Sequence, residues 1–375
     1  MVNITKYTPI LKCKAAEIEA LSGFTDMQRD SILPLFEFVL PSISEKEEKA
    51  DVTPEDKLMK KSAFNIPQDI LMNWGDGRLF FVDFTLLFPE ILSKSFANVF
   101  CRNSALLHLD FIPVINLTAC SEEYKRHMVD LSAEYSSSKI CIRINSVEIQ
   151  DFNNVNFFLK QFISEYKFDR RHISLLVDLK EHVSIEAYDV AISNIQKINV
   201  ISLFDNLILA GGAFPEDMSQ YKQHAEDNHQ IRDDWNGWLS HLSKSLERVP
   251  NFADYTIRYP IFNEKIMNFS STATIKYTLP DKWIFFKGRV RKYEDYLASA
   301  AVLRTQPEYM QFGPHFSAGD KYFEEKGIYF TEYISQKNEN PDKKIGGTGN
   351  TKEWLRAGIN HHIAVVVDQL ANLHG

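Results

Sequence analysis

Ile173-Ser174-Leu175-Leu176-Val177-Asp178 is an almost unbroken apolar run that ends in an acid. A strand buried on both faces should read this way, and such strands belong to parallel sheets. The same design recurs along the chain. Tyr7-Thr8-Pro9-Ile10-Leu11-Lys12 ends in lysine, Ile32-Leu33-Pro34-Leu35-Phe36-Glu37 in glutamate and Leu79-Phe80-Phe81-Val82-Asp83 in aspartate. Phe111-Ile112-Pro113-Val114-Ile115-Asn116 and Ile140-Cys141-Ile142-Arg143 continue the series. Eight strands are predicted, over roughly 7–12, 32–39, 79–86, 109–117, 139–145, 172–179, 201–210 and 253–259. Helical segments fall between them, at 15–22, 54–72 (broken at Pro67), 89–103, 121–135, 154–167, 184–197 and 231–248.

Alternating strands and helices imply a parallel sheet with helices outside it. Eight repeats favour closure into an α/β fold, a TIM-like (β/α)8 barrel, because eight strands fill their interior with side chains. An open doubly wound sheet is the alternative, and the lack of a GxGxxG after the first strand weighs against its dinucleotide-binding form. A chain of 375 residues leaves room for a barrel of about 250 plus an extension. The net charge of -8 argues against a broad nucleic-acid coat. Cys13, Cys101, Cys120 and Cys141 are scattered without a CxxC pair, as expected of a reduced, cytoplasmic protein. The first strand begins within ten residues, the pattern of a chain without a signal peptide, and no apolar run reaches the about 20 residues of a membrane span.

The rhythm changes after the eighth strand. Residues 273–278 and 283–287 read as a hairpin turned at Leu279-Pro280-Asp281-Lys282, residues 292–304 as a helix and 336–350 as a loop. The last helix, about 351–372, has Asn350 as N-cap and Glu353 three residues on, a capping box. The expected organisation is a barrel body over 1–259, an insertion over 260–350 covering the barrel mouth, and a helix over 351–375 that closes the ring.

Tyr7-Thr8-Pro9-Ile10-Leu11-Lys12, followed by Glu17 and Ala20-Leu21, leads into the second strand. Later come Ala253-Asp254-Tyr255, Phe316-Ser317-Ala318-Gly319-Asp320 and Trp354-Leu355-Arg356-Ala357-Gly358-Ile359-Asn360-His361-His362-Ile363. This pattern resembles the beta protein family of phages, prophages and bacterial mobile islands. Arg258-Tyr259 departs from it, being bulkier and more charged than the family continuation. The resemblance implies a setting in phage–host conflict, defence or counter-defence, and carries no assigned chemistry.

Strand ends of a (β/α)8 barrel converge on the face that holds its chemistry. Lys12, Glu37, Asp83, Asn116, Arg143 and Asp178 would therefore meet at one rim. Carboxylates beside cations there suit acid–base work, with Glu37, Asp83, Asp178 and Lys12 as catalytic candidates. Glu37, Asp83 and Asp178 could also hold Mg2+, which takes oxygen ligands. Lys12 reads equally as a Schiff-base or phosphate-binding lysine and as a partner of Glu37. Lys14 would share its face if the strand runs that far.

Asn116 and Arg143 are candidate substrate-binding residues, as are Asp254 and Arg258, whose even spacing puts both on one face of the eighth strand. Gly211-Gly212 follows the seventh strand, where barrels often hold phosphate, although a plain turn is the more economical reading. Ser317 and Asp320, with His361 or His362, suggest a triad. The GxSxG elbow is absent, and N-capping explains Ser317 more simply. His361 is kept as a catalytic candidate. Gly346-Gly347-Thr348-Gly349-Asn350-Thr351-Lys352 lacks Walker spacing and reads as a loop. Lys287, Arg289, Arg291 and Lys292, with Trp283, Tyr293 and Tyr296 nearby, could contact nucleic acid, or form a solvated basic face.

These features predict an enzyme acting on a phosphorylated small molecule or nucleotide. A binding module that recognises a phage protein or sequesters a nucleotide is the alternative.

Overall fold

A computed structural model describes residues 6–225, 227–262 and 272–373. Its strands are β1 (Thr8–Lys12), β2 (Leu35–Glu37), β3 (Phe80–Asp83), β4 (Phe111–Asn116), β5 (Ile140–Asn145), β6 (Ile173–Asp178), β7 (Leu207–Gly211), β8 (His229–Ile231), β9 (Asn251–Asp254), β10 (Thr272–Thr278) and β11 (Lys282–Val290). The chain divides into two compact units. The first takes residues 1–14, 30–212 and 233–254, and the second takes 15–29, 213–232 and 255–375.

The first unit is a (β/α)8 barrel. β1 to β7 and β9 pair in parallel, in chain order, and the ring closes between β9 and β1. Stepping round the ring by the paired residues returns to β1 eight residues lower, the shear of this barrel type. All residues of β1, β2, β3, β6 and β7 are buried, as their continuous apolar runs require. Strand length is where the sequence reading differs. The eighth barrel strand stops at Asp254 rather than 259, and residues 201–203 form a 3-10 turn before β7. The long helix expected over 231–248 spans only Asp233–Leu239: residues 229–231 are committed to β8, and the chain leaves the helix in a turn at 240–243.

Phenylalanine fills the space outside the barrel wall. Phe38 and Phe84, each one residue past an inward acid, meet Phe96 and Phe100 of the helix Glu90–Leu106 at ring separations of 4.8 to 5.9 Å. Pro67 does not break its helix, Ala63–Asn73. It lacks the N–H that would bond the Ala63 carbonyl four residues back, and Asn103 Nδ2 supplies that bond instead at 2.8 Å.

In the second unit, β10 and β11 form the expected antiparallel hairpin, with Leu279 N–H donating to the Lys282 carbonyl across the turn, and β8 adds a third strand beside β11. One face of β10 (Ala273, Ile275, Tyr277) packs into a core with Leu297, Ala300, Phe323 and Trp354. The helix Ala318–Glu339 continues four residues into the stretch expected to be loop. It crosses the last helix, Thr351–Asn372, so closely that a Cβ on Gly319 would lie 2.1 Å from the Ala357 carbonyl oxygen. Asn350 and Glu353 form the expected capping box. No described helix is long and apolar enough to cross a membrane.

Candidate active site at the strand ends

Strand residues alternate between the barrel interior and the helical layer. Lys12, Glu37 and Asp83 share one register level on β1, β2 and β3. Arg143 on β5 lies opposite Asn116 on β4, and Asp178 on β6 opposite Asn145. Their side chains meet inside the ring. Arg143 is the hub: Nη1 donates to Glu37 Oε1 at 2.8 Å and to Asp83 Oδ2 at 2.6 Å. Its Nε and Nη2 both donate to Asp178 Oδ2, at 3.0 and 2.6 Å. Lys12 Nζ pairs with Glu37 Oε2, so the paired reading of this lysine holds. The outer oxygens of the two aspartates are held from the backbone, Asp83 Oδ1 by Thr85 N–H at 2.9 Å and Asp178 Oδ1 by Lys180 N–H at 3.0 Å.

Lys180 is the member that the strand-end reading missed. It stands two residues beyond Asp178, in the turn that follows β6, and its Nζ lies 3.3 Å from Asp178 Oδ2 and 3.5 Å from Glu37 Oε1. Three carboxylates and three cations thus balance. Glu37 and Asp83 are fully buried, whereas the Lys180 side chain is 26% exposed and gives the ring its accessible edge. Burial alone would push the Glu37 carboxyl up, but Lys12, Lys180 and Arg143 together outweigh it and hold the group well below the ordinary carboxylate range. The ring therefore offers a fixed carboxylate beside ammonium groups, an arrangement able to orient a polar substrate and exchange protons through lysine.

The Mg2+ expectation finds no support among the described residues. The oxygens of Glu37, Asp83 and Asp178 converge on the Arg143 guanidinium, which occupies the position that a cation shared by all three would need. Among the described residues no group of three His, Cys, Asp or Glu side chains is arranged to hold a metal.

Packing accounts for Gly211-Gly212 without a phosphate. A Cβ on Gly211 would lie 2.4 Å from the Tyr188 hydroxyl, so packing demands the glycine, and Gly212 N–H already donates to the Lys180 carbonyl at 2.8 Å. Asp254 is out of phase with the inward ring. It pairs with Pro9 in register and accepts a 2.5 Å bond from Tyr7 OH. Arg258 lies beyond the end of β9, in the second unit, with Nε 3.7 Å from Glu17 Oε1. Even spacing along one strand does not describe the pair. Lys14 follows the end of β1 in a turn, its N–H bonded to the Lys12 carbonyl, so the strand does not carry it onto the same face. The Asn116 side chain, in register with Arg143, is half-buried.

The remaining candidates sit in the second unit. Ser317 caps its helix as expected, accepting from Asp320 N–H at 3.0 Å. Asp320 Oδ2 accepts from Ser317 Oγ at 2.5 Å and from His361 Nδ1 at 2.8 Å, and Asp320 Oδ1 accepts from Tyr277 OH at 2.9 Å. His361 Nε2 faces the Thr278 carbonyl at 2.8 Å. The aspartate stands between serine and histidine, so among the described residues no imidazole touches the serine hydroxyl and the Ser–His–Asp order of a nucleophilic triad is absent. His361 is fully buried and locks a core. His362 Nδ1 meets Thr278 Oγ1 at 3.0 Å.

The basic cluster is partly committed. Lys287 Nζ donates to the Met218 and Tyr221 carbonyls, and Arg289 grips Asp295 through Nε and Nη2. In the glycine-rich loop it is carbonyls that are taken, Gly346 by Tyr329 OH, Gly347 by Lys326 and Thr348 by Trp354 Nε1. All four cysteines are buried and none is in a disulfide.

Three of the quoted motifs are joined in the second unit. Asn360 Oδ1 accepts from Gly319 N–H at 2.8 Å while its Nδ2 donates to the Ala20 and Ser22 carbonyls, and His361 holds Asp320. The motifs are structural joints. No curated protein matches the chain. The family model described as Beta protein matches residues 7–368, from the β1 bridge residue into the last helix. The chain therefore belongs to the Beta protein family.

Proposed function

We propose that the barrel is an enzyme acting on a phosphorylated small molecule or nucleotide, in the setting of phage–host conflict that the family resemblance implies. One observation carries this reading: Lys12, Glu37, Asp83, Arg143 and Asp178 come from five strands and meet at the inward C-terminal ends, with Lys180 at the edge. Strand ends that gather charged residues on this face are where such barrels work. In this role Lys180 and Lys12 neutralise the substrate anion, Glu37 keeps Lys12 oriented for proton transfer, and Arg143 fixes the three carboxylates so that little reorganisation accompanies the reaction.

The binding-module reading draws on the same ring, since its charges already neutralise one another and a balanced network can serve as rigid scaffolding. The two separate on Lys12→Met/Glu37→Gln, which removes a buried ion pair without leaving a net charge. Mass spectrometry of a mixture of phosphorylated metabolites should show depletion of at least one compound by the wild type and none by the variant. A parallel plating assay should show a changed phage yield for the wild type only. Equal behaviour of the two proteins in both assays, with equal unfolding midpoints, would assign the ring to scaffolding.

A further inference from the structure

The outer face of β10 presents Thr272, Thr274 and Lys276 at alternate positions, all half-buried, while Ala273, Ile275 and Tyr277 enter the core. That polar face lines a cavity of about 450 Å³ in the second unit. Arg258, Ser219 and Thr351 contribute further donors to its wall, and Trp354 and Leu355 supply an apolar side. The volume falls within the range of about 300–1,000 Å³ used for small-molecule ligands.

Its two inner cations are poorly compensated. Lys276 Nζ donates to the Ile257 carbonyl at 3.3 Å and lies 4.5 Å from the Phe214 ring, and it forms no salt bridge among the described residues. Arg258 has Glu17 at 3.7 Å. Burial, together with the nearby Arg258 charge, lowers the Lys276 amine to about 7, with Glu17 acting in the other direction. The other charged groups of the wall are spoken for or opposite in sign. Lys287 is bonded to two carbonyls, Asp217 accepts from Ser219 N–H at 2.6 Å, and Glu216 is the remaining acid.

We propose that this cavity binds an organic phosphate monoester, its phosphate between Lys276 and Arg258 and its ester group against the apolar wall. A bound dianion relieves the repulsion between the two cations and stabilises the ammonium form of Lys276. The hydroxyls of Thr272 and Thr274 bond one another at 2.7 Å, which leaves one O–H of the pair to donate to a phosphate oxygen. The site stands on residues of the second unit alone and does not depend on the barrel reading.

Calorimetry of the full chain with AMP at pH 8, in two buffers of different ionisation heat, tests this. AMP should bind with net proton uptake, adenosine and inorganic phosphate each at least tenfold more weakly. Lys276→Met should lose the uptake and at least tenfold in affinity, Lys276→Arg should lose the uptake but keep most of the affinity, and Arg258→Met should weaken binding. Lys12→Met/Glu37→Gln should bind AMP as the wild type does, which separates this site from the barrel. Adenosine or phosphate binding as tightly as AMP, uptake persisting in Lys276→Met, or no binding of AMP by the wild type would overturn the proposal.

Discussion

Arg143 is the side chain on which the barrel interior turns. It contacts Glu37, Asp83 and Asp178, all buried, so Arg143→Met leaves three acids facing one another with only the lysines to offset them. Breaking such a network from one side costs about 3–5 kcal/mol, and urea unfolding should show a loss of that order. Gly211 makes a different demand. Gly211→Ala drives a methyl group into the Tyr188 hydroxyl and Val183, and overpacking of this kind costs about 1–3 kcal/mol. Tyr188 OH is buried without a hydrogen-bond partner among the described residues, so Tyr188→Phe should be close to neutral in thermal unfolding and should recover part of the Gly211→Ala loss. Lys276 gives a pH signature. Folded, its amine titrates near 7 and unfolded near 10.5, so the unfolded chain binds the extra proton between those values. Its contribution to stability therefore rises with pH across that window. Unfolding of wild type and Lys276→Met at pH 7.5 and 9.5 should show a rise in the wild type that the variant lacks.

At the scale of elements, the strands were legible because burial on both faces leaves little room for polar residues, and the acid or base at each end marked the rim. Lys12, Glu37, Asp83, Arg143 and Asp178 were found from that pattern alone. Lys180 was not, because it lies past the strand, in a turn that the apolar pattern does not mark. Asp254 was misplaced for the converse reason: one residue of phase along β9 turns it away from the interior, toward Tyr7. The long helix expected over 231–248 failed at both ends, since strand addition in the second unit claims residues 229–231, a tertiary demand that local periodicity does not carry, and the chain turns out of the helix at 240–243. The helix containing Pro67 shows how such demands are met, since Asn103 takes the carbonyl that proline leaves. Asn103→Ala should lose about 1 kcal/mol. In a Pro67→Ala background, where the helix supplies its own N–H, the same substitution should cost much less, and a double-mutant cycle by chemical unfolding measures the difference.

At the scale of the whole molecule, the barrel unit and the second unit divide the sequence motifs between them. The family signature near Ser317, Asp320 and His361 turns out to fasten helices and the β10–β11 turn, and its polar residues are consumed in that task. The strand-end ring of the barrel is the part whose charge is arranged around an accessible edge, and that edge is Lys180. Lys180 also offsets two buried carboxylates, so Lys180→Met should lower the unfolding midpoint, and activity is compared where both proteins are folded. The decisive measurement is turnover by Lys180→Met of whichever phosphorylated compound the wild type consumes, alongside its unfolding midpoint. A kcat/KM lowered at least a hundredfold, measured below the variant's midpoint, is the predicted result; wild-type kcat/KM in the folded variant, or no compound consumed by the wild type, would contradict it.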